Sequence, residues 1–180
     1  MVLIKNILNN FFRKYPQLVR WMADKQEIKI RPFKERDLQE VYAIERRSFP
    51  NPWPKFWFES LHLQNSADFL VASQNEDVLG YAIAKTEGKF KLWKLQVKEQ
   101  GRLLKIAVKK EARHQGIGKS LLQAIIARLI ERGTTDIWLE ARTQNIGARK
   151  FYRAMGFEEK KIVDDYYKNG GDAIIMAKSF

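Results

Sequence analysis

Glycines and cationic side chains are concentrated in one segment, Arg113 to Ser120, whose sequence is RHQGIGKS. It lies between an apolar run typical of a strand and an apolar pattern typical of a helix. Gly116 and Gly118 permit a tight turn, and neither carries a Cβ that would block a ligand. The helix N-terminus that follows would add unpaired amides and partial positive charge. Side-chain donors come from Arg113, His114 and Lys119. The segment predicts a site for a pyrophosphate.

Two better-known phosphate loops do not fit these letters. A P-loop needs a glycine five residues before its G-K-[ST], and Arg113 occupies that position. A dinucleotide fingerprint needs a third glycine where Leu121 stands. A flexible helix entry with a solvated Lys119 is the plainer alternative. Glycine at two nearby positions is costly in a helix start, however, which favours close approach of a ligand.

The elements around the segment predict a crossover that would position it. Residues 103–109, LLKIAVK, form the most apolar strand pattern, and residues 136–142, DIWLEAR, predict another strand. Between them an apolar stripe with helical spacing ends before Gly133, a plausible helix stop. The stripe consists of Leu121, Leu122, Ile125, Ile126, Leu129 and Ile130. Strand, helix and strand in this order predict a right-handed βαβ unit with parallel strands.

The rest of the chain alternates between strand and helix patterns. Asn145 predicts the N-cap of a short helix that ends near Met155, before Gly156. Hairpins on either side of the crossover make the sheet mixed. We therefore predict an α/β fold, a mixed central β-sheet flanked by helices, in one domain over residues 27–180. Residues 1–26 show apolar spacing around Pro16 and predict an added helical segment, which would pack on its own domain, a membrane surface or a partner.

Composition limits the possible chemistry. The chain of 180 residues has no cysteine and two histidines, so we predict no disulfide, thiolate or metal site. No apolar run approaches the roughly 18 residues of a membrane span, and we expect a cytoplasmic protein. Lys and Arg outnumber Asp and Glu by 33 to 21, giving a net charge of +12. This excess favours an anionic partner, although a solvated basic surface would also explain it.

Several segments in order resemble one family. Arg113-x-x-Gly116-x-Gly118 matches the [Q/R]-x-x-G-x-[G/A] loop of the GNAT acetyltransferase superfamily. SFPNPW, LLKIAVKKEARHQGIGKSLL, IWLEARTQNIGARKFYRAMGF and YYKNGGDAIIMA resemble the branch that acetylates protein N-termini, especially the RimI-type ribosomal-protein alanine acetyltransferases. The resemblance covers about residues 27–177 and implies a GNAT-like fold that uses acetyl-CoA.

The resemblance implies a set of residues that hold coenzyme A. The backbone of Ile106, Ala107 and Val108 would run beside the pantetheine arm like an added strand. An amide there would also polarise the thioester carbonyl. The pyrophosphate would lie against the loop, and the next helix start would contact the cofactor too. The implied loop and helix residues are Arg113, His114, Gln115, Gly116, Ile117, Gly118, Lys119, Ser120 and Asn145.

The resemblance also implies two catalytic side chains. Glu140 would act as general base through a water, and Tyr152 would protonate the departing thiolate. Both have plainer alternatives. Glu140 could be a strand residue in a surface salt bridge, and Tyr152 could be a core aromatic beside Phe151.

The acceptor would enter between SFPNPW and the last hairpin, where the aromatic residues could equally belong to the core. The candidates are Phe49, Pro50, Asn51, Trp53, Tyr166 and Tyr167. The expected acceptor is a protein or peptide N-terminus, with a ribosomal protein as one candidate, and we expect no stable nucleic-acid binding. A small-amine acetyltransferase and a non-catalytic RNA-associated module remain alternatives. The basic stretch from Lys89 to Lys105 could be a solvated edge or could steer a partner.

Overall fold

The computed structural model describes Lys14 and residues 27–64, 68–91, 96–168 and 170–180. The helical segment expected over residues 1–26 therefore lies outside the described residues, apart from Lys14. The strands are β1 (Lys29–Pro32), β2 (Asp68–Gln74), β3 (Asp77–Lys91), β4 (Gln96–Val108), β5 (Asp136–Arg142), β6 (Glu158–Tyr167) and β7 (Gly171–Ser179). The helices are α1 (Leu38–Ser48), α2 (Lys55–Leu63), α3 (Ile117–Glu131) and α4 (Ile146–Ala154).

The strands form one sheet of seven strands in the order β1-β2-β3-β4-β5-β7-β6. β4 and β5 are parallel, and the other neighbouring strands are antiparallel. Because β4 and β5 run in the same direction, the chain must cross between them, and α3 makes that connection. The predicted mixed α/β sheet and its parallel crossover are confirmed.

Helices cover both faces of the sheet, so β2 is buried on both sides. Leu70 and Ala72 of β2 pack into the core beneath α3, whose Leu121 and Ile125 are fully buried. Phe69 and Val71 point the other way, into a second core with α1 and α2. The near-continuous apolar run of β2 follows from this double burial. Within the described part of the chain, no helix is both long enough and apolar enough to cross a membrane.

A β-bulge interrupts the pairing of β3 with β4. Ala84 pairs with Leu103 and Ile83 pairs with Lys105, so Leu104 is the extra residue. A bulge breaks the alternation of side chains along a strand. Leu104 consequently packs against the core under α1 and α2, and the next side chain, Lys105, contacts α1 as well. The sequence pattern did not indicate this bulge.

Candidate active site

The parallel strands at the centre of the sheet separate after a short paired stretch. β4 pairs with β5 at Gly101–Ile137 and Arg102–Trp138, although β4 continues to Val108 and β5 to Arg142. A cleft of about 630 Å³ opens beside the last residues of β4. Its lining consists of Ser48, Phe49, Ile106, Ala107, Val108, Ala112, Arg113, His114, Gly116, Ile117, Gly118, Lys119, Asn145, Gly147, Ala148, Phe151 and Tyr152.

The glycine loop forms one end of this cleft. Gly116 has a φ of 82°, in the left-handed region, and so has the non-glycine residue His114 at 61°. Ser120 donates the first amide bond within α3, to the carbonyl of Gly116 at 3.0 Å. The amides of residues 117–119 precede that bond and lie in the first turn at the cleft. The Arg113 guanidinium donates to the carbonyl of Val108 at 3.1 Å, which ties the loop to the end of β4.

The cleft has the features that a diphosphate with an extended arm requires. Amides at the N-terminus of α3 and the cationic side chains of Arg113 and Lys119 lie at one end, and none of the described lining residues is acidic. The edge of β4 beyond Arg102 has no pairing with β5. An extended ligand arm can hydrogen-bond to such an edge as an added strand does.

Tyr152 lies at the wall of the cleft because the end of α4 fixes it. Asn145 caps the start of α4, its side-chain oxygen accepting from the amide of Ala148 at 3.0 Å. At the other end, the amide of Phe157 donates to the carbonyl of Tyr152 at 3.0 Å, and their rings pack with centroids 5.7 Å apart. Gly156, at a φ of 85°, permits this helix stop. Burial raises the pKa of the Tyr152 phenol, so the hydroxyl keeps its proton.

Glu140 lies on β5 outside the lining of the cleft. Its carboxylate receives two hydrogen bonds from Arg102, one from Nη2 and one from Nε at 3.4 Å. Tyr166 Oη donates to Glu140 Oε1 at 2.7 Å. Partial burial, followed by this hydrogen bond, raises the pKa of Tyr166 to about 12. Glu140 is thus held by both β4 and the last hairpin.

The predicted acceptor residues divide into two groups. Phe49 lines the cleft. Trp53 follows on the loop between α1 and α2 and packs against the second core, and Pro50 and Asn51 are exposed. Tyr166 and Tyr167 lie on the side of β5, where the Tyr167 ring is 3.9 Å from the Arg142 guanidinium. Two predicted cofactor residues, Gln115 and Ser120, do not line the cleft, and the Gln115 amide donates to the carbonyl of Glu111 at 3.4 Å.

Sequence reasoning missed three charged residues beside the site. Arg102 binds Glu140, and Lys105 of β4 forms an ion pair with Glu45 of α1. Arg102 and Lys105 fall in or beside the basic stretch that the sequence marked as a solvated edge or a steering surface. Both side chains instead lie against carboxylates at the site, with exposed fractions of 26% and 10%.

Comparisons with known proteins identify the same family in each case. The profile of the acetyltransferase (GNAT) family matches residues 38–157. The chain is 32% identical over 155 residues to an N-alpha-acetyltransferase of Sulfurisphaera tokodaii, covering 84% of this chain and 93% of the relative. It is 33% identical over 144 residues to the ribosomal protein bS18-alanine N-acetyltransferase of Escherichia coli, covering 78% and 90%.

The solved structures agree with the sequence relatives. The crystal structure of the Escherichia coli ribosomal-protein-S18-alanine N-acetyltransferase superposes with a TM-score of 0.70 at 31% identity. The similarity covers 85% of this chain and 94% of that one. Fold, glycine loop and relatives agree, and the chain belongs to the GNAT family of acetyl-CoA-dependent N-acetyltransferases.

Proposed function

We propose that this protein transfers an acetyl group from acetyl-CoA to the α-amine at the N-terminus of a protein or peptide. The observation that carries this proposal is the cleft beside the last residues of β4, beyond the point where the pairing of β4 with β5 ends. Amides and cations form one end of it, and the buried hydroxyl residue Tyr152 forms part of its wall. The named activities of the relatives in Sulfurisphaera tokodaii and Escherichia coli support the same acceptor class.

The loop and β4 would hold acetyl-CoA between them. The amides at the start of α3, with Arg113, His114 and Lys119, suit its diphosphate. The main chain of Ile106, Ala107 and Val108 suits its extended arm. When bound, acetyl-CoA supplies an activated acetyl thioester. Asn145 caps the start of α4, and we propose that it also contacts acetyl-CoA.

Two side chains would move protons. An ammonium group cannot attack a carbonyl, so a base must take a proton, and we assign that role to Glu140 acting through a water. We assign the role of acid to Tyr152, whose raised pKa keeps a proton on its Oη at neutral pH. Tyr166 is hydrogen-bonded to Glu140 and stands on the proposed acceptor side.

A general base that acts through a water suits an α-amine better than a lysine. An α-amine has a pKa of about 7.7–8.0, so roughly one in ten is neutral at pH 7. A lysine with a pKa of about 10.4 is neutral in fewer than about one molecule in a thousand. A carboxylate that acts through a water therefore needs to remove a proton from a smaller fraction of acceptor molecules when the acceptor is an N-terminus.

The acceptor would be a ribosomal or another newly made protein in the cytoplasm. The name of the Escherichia coli relative states that it acts on the alanine of ribosomal protein bS18. Phe49, Pro50, Asn51 and Trp53 on one side, with Tyr166 and Tyr167 on the other, are the proposed walls of the acceptor slot.

A peptide panel with acetyl-CoA tests the proposal. The peptides vary in the first residue, and one has a blocked N-terminus and a free lysine. Polyamines and free amino acids complete the panel as small-amine acceptors. We expect turnover of free N-termini and none of the blocked peptide. Acetylation only of the blocked peptide or of the small amines would overturn the proposal.

A further inference from the structure

A largely buried ion pair lies beneath the loop that carries Phe49 and Trp53. Glu45 of α1 is fully buried, and Lys105 of β4 has an exposed fraction of 10%. Lys105 Nζ donates to Glu45 Oε1 at 2.8 Å. Burial lowers the pKa of Lys105, and the hydrogen bond to Glu45 opposes that change. The proton-transfer steps assigned above use neither group.

The ion pair contacts the loop at three points. The backbone amide of Trp53 donates to Glu45 Oε1 at 2.7 Å. The ammonium of Lys105 is 3.8 Å from the centroid of the Phe49 ring and 4.8 Å from that of Trp53. A cation over an aromatic face is attracted to it, and more strongly where water is excluded. The hydroxyl of Tyr81 donates to the other oxygen of Glu45, which leaves both carboxylate oxygens bound.

The bulge in β4 places this pair at the strand that lines the cleft. Since Leu104 is the extra residue, Lys105 faces α1 while its neighbour Ile106 lines the cleft. The ion pair therefore joins one proposed wall of the acceptor slot to the strand proposed to hold the thioester. Two apolar side chains of similar size could fill the same space at equal or lower cost in stability. The charged pair differs from apolar side chains in that it holds the Trp53 amide and the rings of Phe49 and Trp53 in set positions.

We propose that Glu45 and Lys105 are positioning residues, which hold the loop 49–53 at a set distance from β4 and so determine how tightly the acceptor binds. This inference rests on the proposed function for the identity of the acceptor. The role of the pair in ordering the loop depends on the contacts alone. The pair acts through Phe49 and Trp53 and does not touch the reacting atoms.

Steady-state kinetics of Lys105→Met test whether the pair affects acceptor binding. We expect the KM for an N-terminal peptide to rise about tenfold, a size between that of an exposed and that of a desolvated cation–π contact, with the KM for acetyl-CoA unchanged. Lys109→Met is the matched control. Lys109 follows on the same segment and pairs with Glu40 of α1 at 2.9 Å, but it is partly exposed and contacts neither ring. We expect this control to leave both KM values unchanged.

A double variant guards against loss of folding. Lys105→Met alone leaves a buried carboxylate unpaired, which is strongly destabilising. Lys105→Met with Glu45→Gln removes both charges and keeps an oxygen that can accept from the Trp53 amide. We expect the double variant to fold and to show the same rise in peptide KM. A folded double variant with a wild-type peptide KM would overturn the proposal.

Hydrogen exchange separates this proposal from the assigned activity. The Trp53 amide is followed by NMR in wild type and in both Lys105 variants, without substrates. We expect exchange about tenfold faster in the variants, since the loop loses its contacts with the cation. An unchanged exchange rate would contradict the positioning role even if the enzyme acetylates peptides. If wild type acetylates no N-terminal peptide, the proposed function fails and the exchange rate alone decides the role of the pair.

Discussion

Arg102 and Glu140 form a two-point ion pair at the junction where β4 and β5 are parallel. The guanidinium also stacks over the ring of Trp138, 4.5 Å from its centroid, and its Nη1 is 3.4 Å from Glu87 Oε1. A guanidinium that is held on two further sides has a fixed plane, and it imposes that plane on the carboxylate it binds. The direction of the Glu140 carboxylate is therefore set by β3 and β4 as well as by its own strand.

We expect Arg102→Met to lower kcat for peptide acetylation about tenfold, with the KM for acetyl-CoA within about twofold of wild type. The reason is that Glu140 loses its orientation, while the phosphate loop lies elsewhere and stays intact. Steady-state kinetics with both substrates varied provide the measurement. Glu87→Gln is the control, because it leaves the contact between Arg102 and Glu140 in place. An Arg102→Met enzyme with wild-type kcat would show that the pair does not position the base.

Glu140→Gln and Tyr152→Phe should each reduce kcat by at least about 10²-fold, a typical contribution of proton transfer. Each change keeps the shape of the side chain and removes the group that would exchange a proton. Thermal denaturation shows whether the variants fold. Tyr42→Phe on α1 is a matched control, since Tyr42 packs in the second core and does not line the cleft. Turnover near wild type in a folded variant would show that the residue has only a structural role, as a strand residue in a salt bridge for Glu140 or as a core aromatic for Tyr152.

Local sequence signals predicted the parts of the site that short segments determine. Leu121, Leu122, Ile125 and Leu129 of the predicted stripe are buried, whereas Ile126 is partly buried and Ile130 is exposed. The stop at Gly133 and the cap at Asn145 are present. Each depends on residues within a few positions of one another, so a pattern in the sequence can carry it. The same holds for the glycine loop. Ten of the twelve residues predicted to bind the cofactor line one cleft. They are Ile106, Ala107, Val108, Arg113, His114, Gly116, Ile117, Gly118, Lys119 and Asn145.

Long-range pairings escaped the sequence for a physical reason. Lys105 and Glu45 are 60 positions apart, and Arg102 and Glu140 are 38 apart. Which charges meet depends on the register of the sheet and on the bulge at Leu104. A register shift of one residue would send every side chain of β4 to the opposite face. Lysines in an alternating stretch are ordinarily solvated, and only the fold shows that the Lys105 side chain is largely covered.

The phenol of Tyr166 should titrate at about pH 12, well above its ordinary value of 10.0. A raised pKa in the folded state means that the protonated phenol contributes stability below pH 10. That contribution is lost as the pH rises from about 10 towards 12. The difference in tyrosinate absorbance between wild type and Tyr166→Phe isolates this group. Glu140→Gln should move its midpoint down, because the carboxylate that accepts its proton is gone. A Tyr166 midpoint near 10 in wild type would contradict the hydrogen bond.

The two loop glycines should respond differently to alanine. Gly116 has a φ of 82°, and a left-handed residue with a Cβ costs about 1–2 kcal/mol. We expect Gly116→Ala to lower Tm by about 4 °C and to weaken coenzyme A binding, since the loop amides turn away. In Gly118→Ala the added Cβ would lie 3.6 Å from the Phe151 ring, an ordinary contact, on a helical backbone.

Gly118→Ala should therefore keep its Tm and bind coenzyme A within about twofold of wild type, because alanine favours a helix more than glycine does. Calorimetric titration with coenzyme A and thermal denaturation measure the two effects on each variant. Comparison of the two variants separates the effect of backbone conformation from the effect of the space available to the ligand. Equal loss of stability in both variants would contradict the left-handed assignment of Gly116. A Gly118→Ala protein with full stability and no coenzyme A binding would mean that the ligand approaches the backbone more closely at residue 118 than alanine permits.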